Sequence, residues 1–196
     1  MATARKSIAV RGAGVVGLWQ ALTHARAGHD VTIFERSQRP FKDGCSLYAG
    51  AMLAPRCEEE AAEDIIRDLG VRGIALWREN YPGTVTNGSL VVTQERDRGL
   101  LDRFARMTTG HRRLDAKALA EIEPDLAHRA GDALFYPDEA HVAPVPALNF
   151  LLEAAQANGV RLGLGSTEVF APADIVIDCR GPVSYTHLTL PTTPYV

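Results

Sequence analysis

Excess charge, cysteine and long apolar runs are all scarce in this chain, and each scarcity closes off a class of function. Lys and Arg number 21 against 24 Asp and Glu, a formal net charge of −3 over 196 residues. That balance gives no electrostatic case for nucleic acid or for an anionic membrane surface. Only three cysteines are present, Cys45, Cys57 and Cys179, without metal-ligand spacing. No metal site is expected from them, and reduced, mostly buried thiols are. No apolar run is long enough to cross a bilayer. The opening MATARKSIAV is interrupted by RGAG before its apolar stretch reaches the length of a signal peptide. The expectation is a cytoplasmic protein with neither a membrane nor a nucleic acid as partner. What is present is ordinary for a soluble globular chain: 46% hydrophobic and 23% charged residues, and length for one or two domains.

The informative stretch comes early. SIAV reads as a short strand with Ile8 and Val10 on one face. GAGVVG follows at residues 12–17, and a helix then carries Val15, Leu18, Trp19, Leu22 and Ala25 at helical spacing. Gly28 stops that helix, and DVTIFE reads as a second buried strand ending in Glu35. A strand, a glycine turn, a helix and a strand are the context in which a G-x-G-x-x-G fingerprint binds a dinucleotide. Gly12 permits the tight turn, Gly14 clears the approach of a pyrophosphate, and Gly17 allows close helix–strand packing. The N–H groups of Val15 and Val16 open the helix, where its dipole favours negative charge. Glu35 stands eighteen residues past Gly17, where a carboxylate can accept hydrogen bonds from a ribose 2′-OH and disfavours a 2′-phosphate. Arg11 is unusual before the first glycine; its charge must find solvent or a phosphate. On these residues alone the ligand is FAD or NAD.

The next stretch narrows the choice by resemblance. RGAGVVGLWQALTHARAGHDVTIFER followed by CSLYAGAMLAP is similar to the D-amino-acid oxidase family of FAD enzymes, and within it to the glycine oxidase branch of thiamine biosynthesis. The resemblance implies an α/β fold: a Rossmann-like FAD-binding domain carrying an inserted α+β substrate domain, here truncated. It implies that Arg36 follows the ribose-binding acid, that Cys45 and Ser46 lie near the pyrophosphate and ribityl chain, and that Gly50, Ala51 and Met52 lie against the isoalloxazine. Ala51 stands where the family often has glycine. Met52 on its own would be read as core. Val169 is implied as a backbone contact to the adenine, and Gly181, ending the strand DIVIDCRG that returns to the cofactor, as a further cofactor contact.

Further along, residues 58–81 read as helix with Ile65, Ile66, Leu69, Leu76 and Trp77 as core, and with Gly70 and Gly73 as points of bending. GSLVVTQ reads as a strand, RGLLDRFARM as an amphipathic helix, and LDAKALAEIEP as a helix capped by Asp115 and stopped by Pro124. DALFYPDEAHV reads as a hairpin turning at PDE. PVPALNFLLEAAQANGV is a helix ended by Gly159, and VRLGLG and ADIVIDCRG read as buried strands. With the resemblance, the chain divides into a first FAD-binding segment at 1–81, a substrate-domain portion at 82–143 and a returning FAD-binding segment at 144–182. The Thr- and Pro-rich run at 183–196 is expected to be a non-native tail, with no function in His187. Ala143 stands where an acid is common.

No catalytic residue stands out. His24, His29, His111, His128 and His141 show no pairing at ligand spacing and read as surface or satisfied structural residues, His141 being the best placed. Ser46 has no base beside it. Tyr48 and Tyr136 read as packing residues. The activity the resemblance implies is oxidation of a small primary or secondary amine or amino acid. A hydride passes from Cα to the flavin N5, and dioxygen reoxidises the flavin to give hydrogen peroxide. Homo-oligomers are common in such a family. The rivals are an NAD-dependent dehydrogenase with the same fingerprint and a non-catalytic nucleotide-binding module.

Overall fold

A computed structural model describes residues 4–126, 131–166 and 172–181. Along the chain run β1 (Ser7–Arg11), α1 (Val15–Arg26), β2 (Asp30–Glu35), β3 (Met52–Leu53), α2 (Asp64–Asn80), β4 (Ser89–Val92), α3 (Arg98–Met107), β5 (Arg112–Leu114), α4 (Ala116–Ile122), β6 (Ala133–Tyr136), β7 (Ala140–His141), α5 (Pro144–Ala157), β8 (Arg161–Leu164) and β9 (Ile175–Asp178). They form two compact units. One joins the residues up to Gly50 with those from Pro144 onward; the other is Ala51–Ala143.

The first unit is built on a parallel sheet in the order β8-β2-β1-β9. A central strand of such a sheet is covered on both faces and needs apolar residues on both. Accordingly Ile8, Ala9 and Val10 are all buried, rather than the alternate pair expected. Helices α1 and α5 pack against one another. Their buried Leu18, Leu22, Leu148 and Leu151 each contribute about 1.5–3 kcal/mol by leaving water. The buried side of α1 is Gly17, Leu18, Ala21 and Leu22, with Val15, Trp19 and Ala25 only half-buried at its margin. The outer strands β8 and β9 differ from expectation: neither contains a buried residue, because each has a neighbour on one side only.

The second compact unit is Ala51–Ala143. Met52 and Leu53 of β3 pair with His141 and Ala140 of β7, and α2 packs beside β3, so residues 51–81 belong with residues 82–143. Its main sheet has the order β4-β6-β5. Successive side chains of a strand point to opposite faces. Ala133 and Phe135 of β6 therefore join Leu114 and Leu119 on one side, while Leu134 and Tyr136 join Leu101 on the other. The Asp115 carboxylate caps α4 by accepting the Ala118 N–H at 2.8 Å.

Two further expectations change here. Strands β6 and β7 do not form a hairpin: β6 pairs with β4 and β5, and β7 pairs with β3. Helix α2 buries Ile74 alone, whereas Ile65, Ile66, Leu69 and Leu76 are exposed. Gly70 and Gly73 do not interrupt it. Gly70 instead lets the helix approach Pro55, whose Cβ would lie 2.5 Å from any added side-chain carbon.

Candidate functional site

The glycine turn is shaped by contacts only glycine can make. Gly12 has φ +101°, and its N–H donates to the Phe34 carbonyl at 2.7 Å. A Cβ there would stand 2.6 Å from the Cys179 carbonyl oxygen, and one on Gly17 would stand 1.9 Å from the Gly12 carbonyl oxygen. The close packing that Gly17 permits is thus of α1 onto the glycine turn itself, with the Cys179 side chain next to it. Backbone of Gly14, Val15 and Val16 then opens the helix, with Val16 exposed.

Glu35 ends β2 facing this turn. One carboxylate oxygen accepts the Ala13 N–H at 2.8 Å and the other accepts the Ser37 N–H at 3.1 Å. An ionised carboxylate has about four lone-pair sites, so it retains capacity for ribose hydroxyls while its position is fixed by backbone. The Ser46 hydroxyl, on the short turn Cys45–Leu47, accepts the Val15 N–H at 3.2 Å and sits 3.2 Å from where a Gly14 side chain would begin. Ser46 thus reaches the amides that open α1, the end of a helix suited to a phosphate. A positive-φ glycine turn, an orienting carboxylate and a hydroxyl at the helix start fit the ADP portion of a dinucleotide.

Arg11 is half-buried at the end of β1. It lies in register with Asp178 on β9, and its charge adds to the field there. The larger effect on Asp178 is Arg180, whose guanidinium and backbone N–H both donate to the carboxylate at 2.6–3.2 Å. Together these hold the Asp178 carboxyl down to about 2. Gly181 follows at φ +78°.

The remaining candidates are placed unevenly. Arg36 and Gly50 are exposed. Cys45 is exposed too, contrary to the expectation of mostly buried thiols; all three cysteines are free. Ala51 and Met52 belong to the second unit. Ala51 adopts φ +48°, a left-handed conformation rare for a residue with a Cβ, and Met52 is 62% exposed and so not core. Val169 and His128 lie outside the described residues, as does the run from 182 onward.

Three features of the second unit go beyond the sequence reading. Glu139 is a carboxylate buried to 1% exposure, although PDE looks like a solvated turn. Buried Thr108 shares a 2.6 Å hydrogen bond with the Tyr136 hydroxyl, and burial pushes Tyr136 up to about 12. The His111 Nδ1 is buried without a hydrogen-bond partner among the described residues, and its ring lies 5.5 Å from that of Tyr136. His141 is bound through its backbone to Val85 on one side and through β3 on the other. Among the described residues no cluster of His, Cys, Asp or Glu has the makings of a metal site, and no helix is long and apolar enough to cross a membrane.

Comparison with known proteins separates the two nucleotides that the fingerprint leaves open. Residues 7–182 match the family described as DAO, FAD dependent oxidoreductase. The chain is 44% identical over 176 residues to a Rhizobium etli protein whose name, thiamine biosynthesis oxidoreductase ThiO, is itself provisional; the match covers 89% of this chain and 54% of that protein. Glycine oxidase from Geobacillus kaustophilus superimposes with a TM-score of 0.77 at 24% identity, over 93% of this chain and 57% of that one. Iminodiacetate oxidase from Chelativorans sp. BNC1 gives 0.73 at 24% identity, over 92% and 57%. These two likenesses establish the fold, and the chain spans just over half the length of the relatives it matches. With its glycine turn inside the matched region, the chain belongs to the family of FAD-dependent oxidoreductases, whose cofactor is FAD rather than NAD.

Proposed function

We propose that this chain forms the FAD-holding part of an oxidase acting on a small primary or secondary amine or amino acid. The single observation that carries the reading is the family match over residues 7–182. It joins a local geometry in which a backbone-fixed Glu35 stands beside a glycine turn. In this reading the first unit holds the ADP end. Gly12 makes the turn, Gly14 gives the pyrophosphate room and Gly17 keeps α1 close to the turn; the Val16 amide donates to the pyrophosphate, joined by the Val15 amide when it leaves the Ser46 hydroxyl, and Glu35 accepts from the ribose. Arg36, Cys45, Ser46 and Gly181 border the cofactor, and Gly50, Ala51 and Met52 lie along the flavin ring.

Bound FAD supplies the two-electron acceptor that turns a Cα–H amine into an imine and passes the electrons to dioxygen, giving hydrogen peroxide. The protein's own task is orientation and exclusion of water. We assign the first unit to the cofactor, Ala51–Ala143 to a portion of the substrate domain, a small amine and dioxygen as reactants, and the cytoplasm as the compartment, in keeping with three free thiols. A homo-oligomer is part of the same reading.

The test is optical. The chain purified with FAD is expected to be yellow and to keep the flavin through dialysis, and in a form extended to the length of its relatives the flavin is expected to bleach without oxygen on addition of glycine, sarcosine or a D-amino acid. A colourless protein that releases all added FAD overturns the reading. Retained flavin that no small amine reduces overturns the substrate class.

A further inference from the structure

Glu139 is the most completely buried charged side chain among the described residues, and no role in the oxidation chemistry accounts for it. Its exposure is 1%. Burying a carboxylate is costly unless every lone pair is answered, and here the answer comes from one segment. One oxygen accepts the Arg56 N–H at 2.8 Å and the Cys57 N–H at 3.0 Å; the other accepts the Cys57 thiol at 3.3 Å. Burial first, and then this carboxylate, push the Cys57 thiol up, so it stays protonated and donates.

The residues after Glu139 grip the same segment further upstream. Ala140 and His141 pair with Leu53 and Met52, and the Val142 N–H donates to the Ala51 carbonyl at 3.1 Å. Glu139 is itself pinned by its backbone: its carbonyl accepts the Gly88 N–H at 3.1 Å. Residues 51–57 are therefore held at both ends by residues 139–142, with a left-handed Ala51 at the upstream end. Such a conformation persists only where its surroundings over-determine it.

We propose that Glu139 is a positioning residue for the flavin: by clamping the Arg56 and Cys57 amides it fixes the path of Ala51–Cys57, and so the surface that Ala51 and Met52 present to the isoalloxazine. This rests on the reading that Gly50–Met52 lie along the flavin ring. Charge-assisted bonds to backbone amides are stronger and more directional than neutral ones, which suits a carboxylate for setting a path rather than filling a gap.

The experiment compares FAD with ADP on the full chain. ADP reports the nucleotide end alone; the FAD-to-ADP affinity ratio and the flavin visible spectrum report the ring. Glu139→Ala is expected to lower that ratio at least about tenfold, to shift the visible band, and to speed hydrogen exchange at the Arg56 and Cys57 amides. Glu139→Gln keeps one acceptor oxygen for the two amides but not the charge, and is expected to restore all three in part. Leu134→Ala, fully buried in the same unit, controls for lost stability and should keep the wild-type ratio at temperatures where it is folded. A wild-type ratio in Glu139→Ala, or an equal fall in Leu134→Ala, overturns the proposal. A wild-type chain that binds FAD no more tightly than ADP, with the spectrum of free flavin, overturns the reading beneath it instead.

Discussion

The Gly12 carbonyl oxygen lies where a Gly17 side chain would begin, 1.9 Å from the ideal Cβ position. No rotamer relieves such a contact, because both partners are backbone. Gly17→Ala is expected to cost at least about 3 kcal/mol of stability, at the upper end of overpacking penalties. It should also lose FAD retention, since the turn and the start of α1 must move apart together. Chemical denaturation with flavin fluorescence as the second probe checks both, and an unchanged midpoint would contradict the geometry.

Ala51 makes the opposite prediction. Its φ of +48° costs an L-residue about 1–2 kcal/mol, while glycine there would lose about 0.5–1 kcal/mol to unfolded-state entropy. Ala51→Gly is expected to raise stability by roughly 0.5–1 kcal/mol on those figures. The Val142 hydrogen bond to its carbonyl survives the change. A shift of the urea midpoint to lower denaturant would show that the strain is absent.

Among the described residues nothing satisfies the buried Nδ1 of His111, which lies against the ring of Tyr136. Replacing an unpaired buried polar group by an apolar one of like shape removes a desolvation penalty. His111→Phe keeps the ring contact and is expected to stabilise the chain by about 1 kcal/mol. Equilibrium unfolding with unchanged denaturant dependence is the check; destabilisation would mean that the imidazole has a partner in solution.

Stability against pH should fall off at both extremes, for separate reasons. Asp178, held down by the Arg180 hydrogen bonds to about 2, is charged in the fold at pH values where the unfolded chain has taken up its proton. Its contribution is present above an ordinary carboxylate pKa of about 4 and is lost as pH falls towards 2. Tyr136, raised by burial to about 12, works the other way. Its contribution is complete below an ordinary tyrosine pKa of about 10 and is lost as pH rises towards 12. Asp178→Asn should flatten the acid limb alone and Tyr136→Phe the alkaline limb alone, followed by circular dichroism across both ranges.

The parts legible in the sequence are those decided locally. The strand, glycine turn, helix and strand from Ser7 to Glu35 needed only residue spacing and an acid in the right place. The Asp115 cap, the Pro124 stop and the Gly159 stop were readable for the same reason. What was not legible depends on partners distant in the chain. The apolar stripe of α2 shows which side is greasy but not what covers it, so Ile65, Ile66 and Leu69 read as core and are exposed. DALFYPDEAHV has the letters of a hairpin, yet β7 leaves β6 for β3. Glu139 looked like a turn acid because nothing nearby in sequence announces that Arg56 and Cys57, more than eighty positions upstream, would supply its donors. The candidate site divides likewise: the nucleotide end could be read from residues 12–35, and the ring end only by resemblance.

The order of strands in the first sheet sets an order of events during synthesis. β1 sits between β2 and β9, so one side of it stays an open edge until residue 178 has left the ribosome. Everything in Ala51–Ala143 is available earlier. The nascent chain must therefore carry an unfinished nucleotide-binding half past an intervening part that is free to fold first, and that exposed edge is the place where a chaperone, or another nascent chain, would find a vacancy to fill.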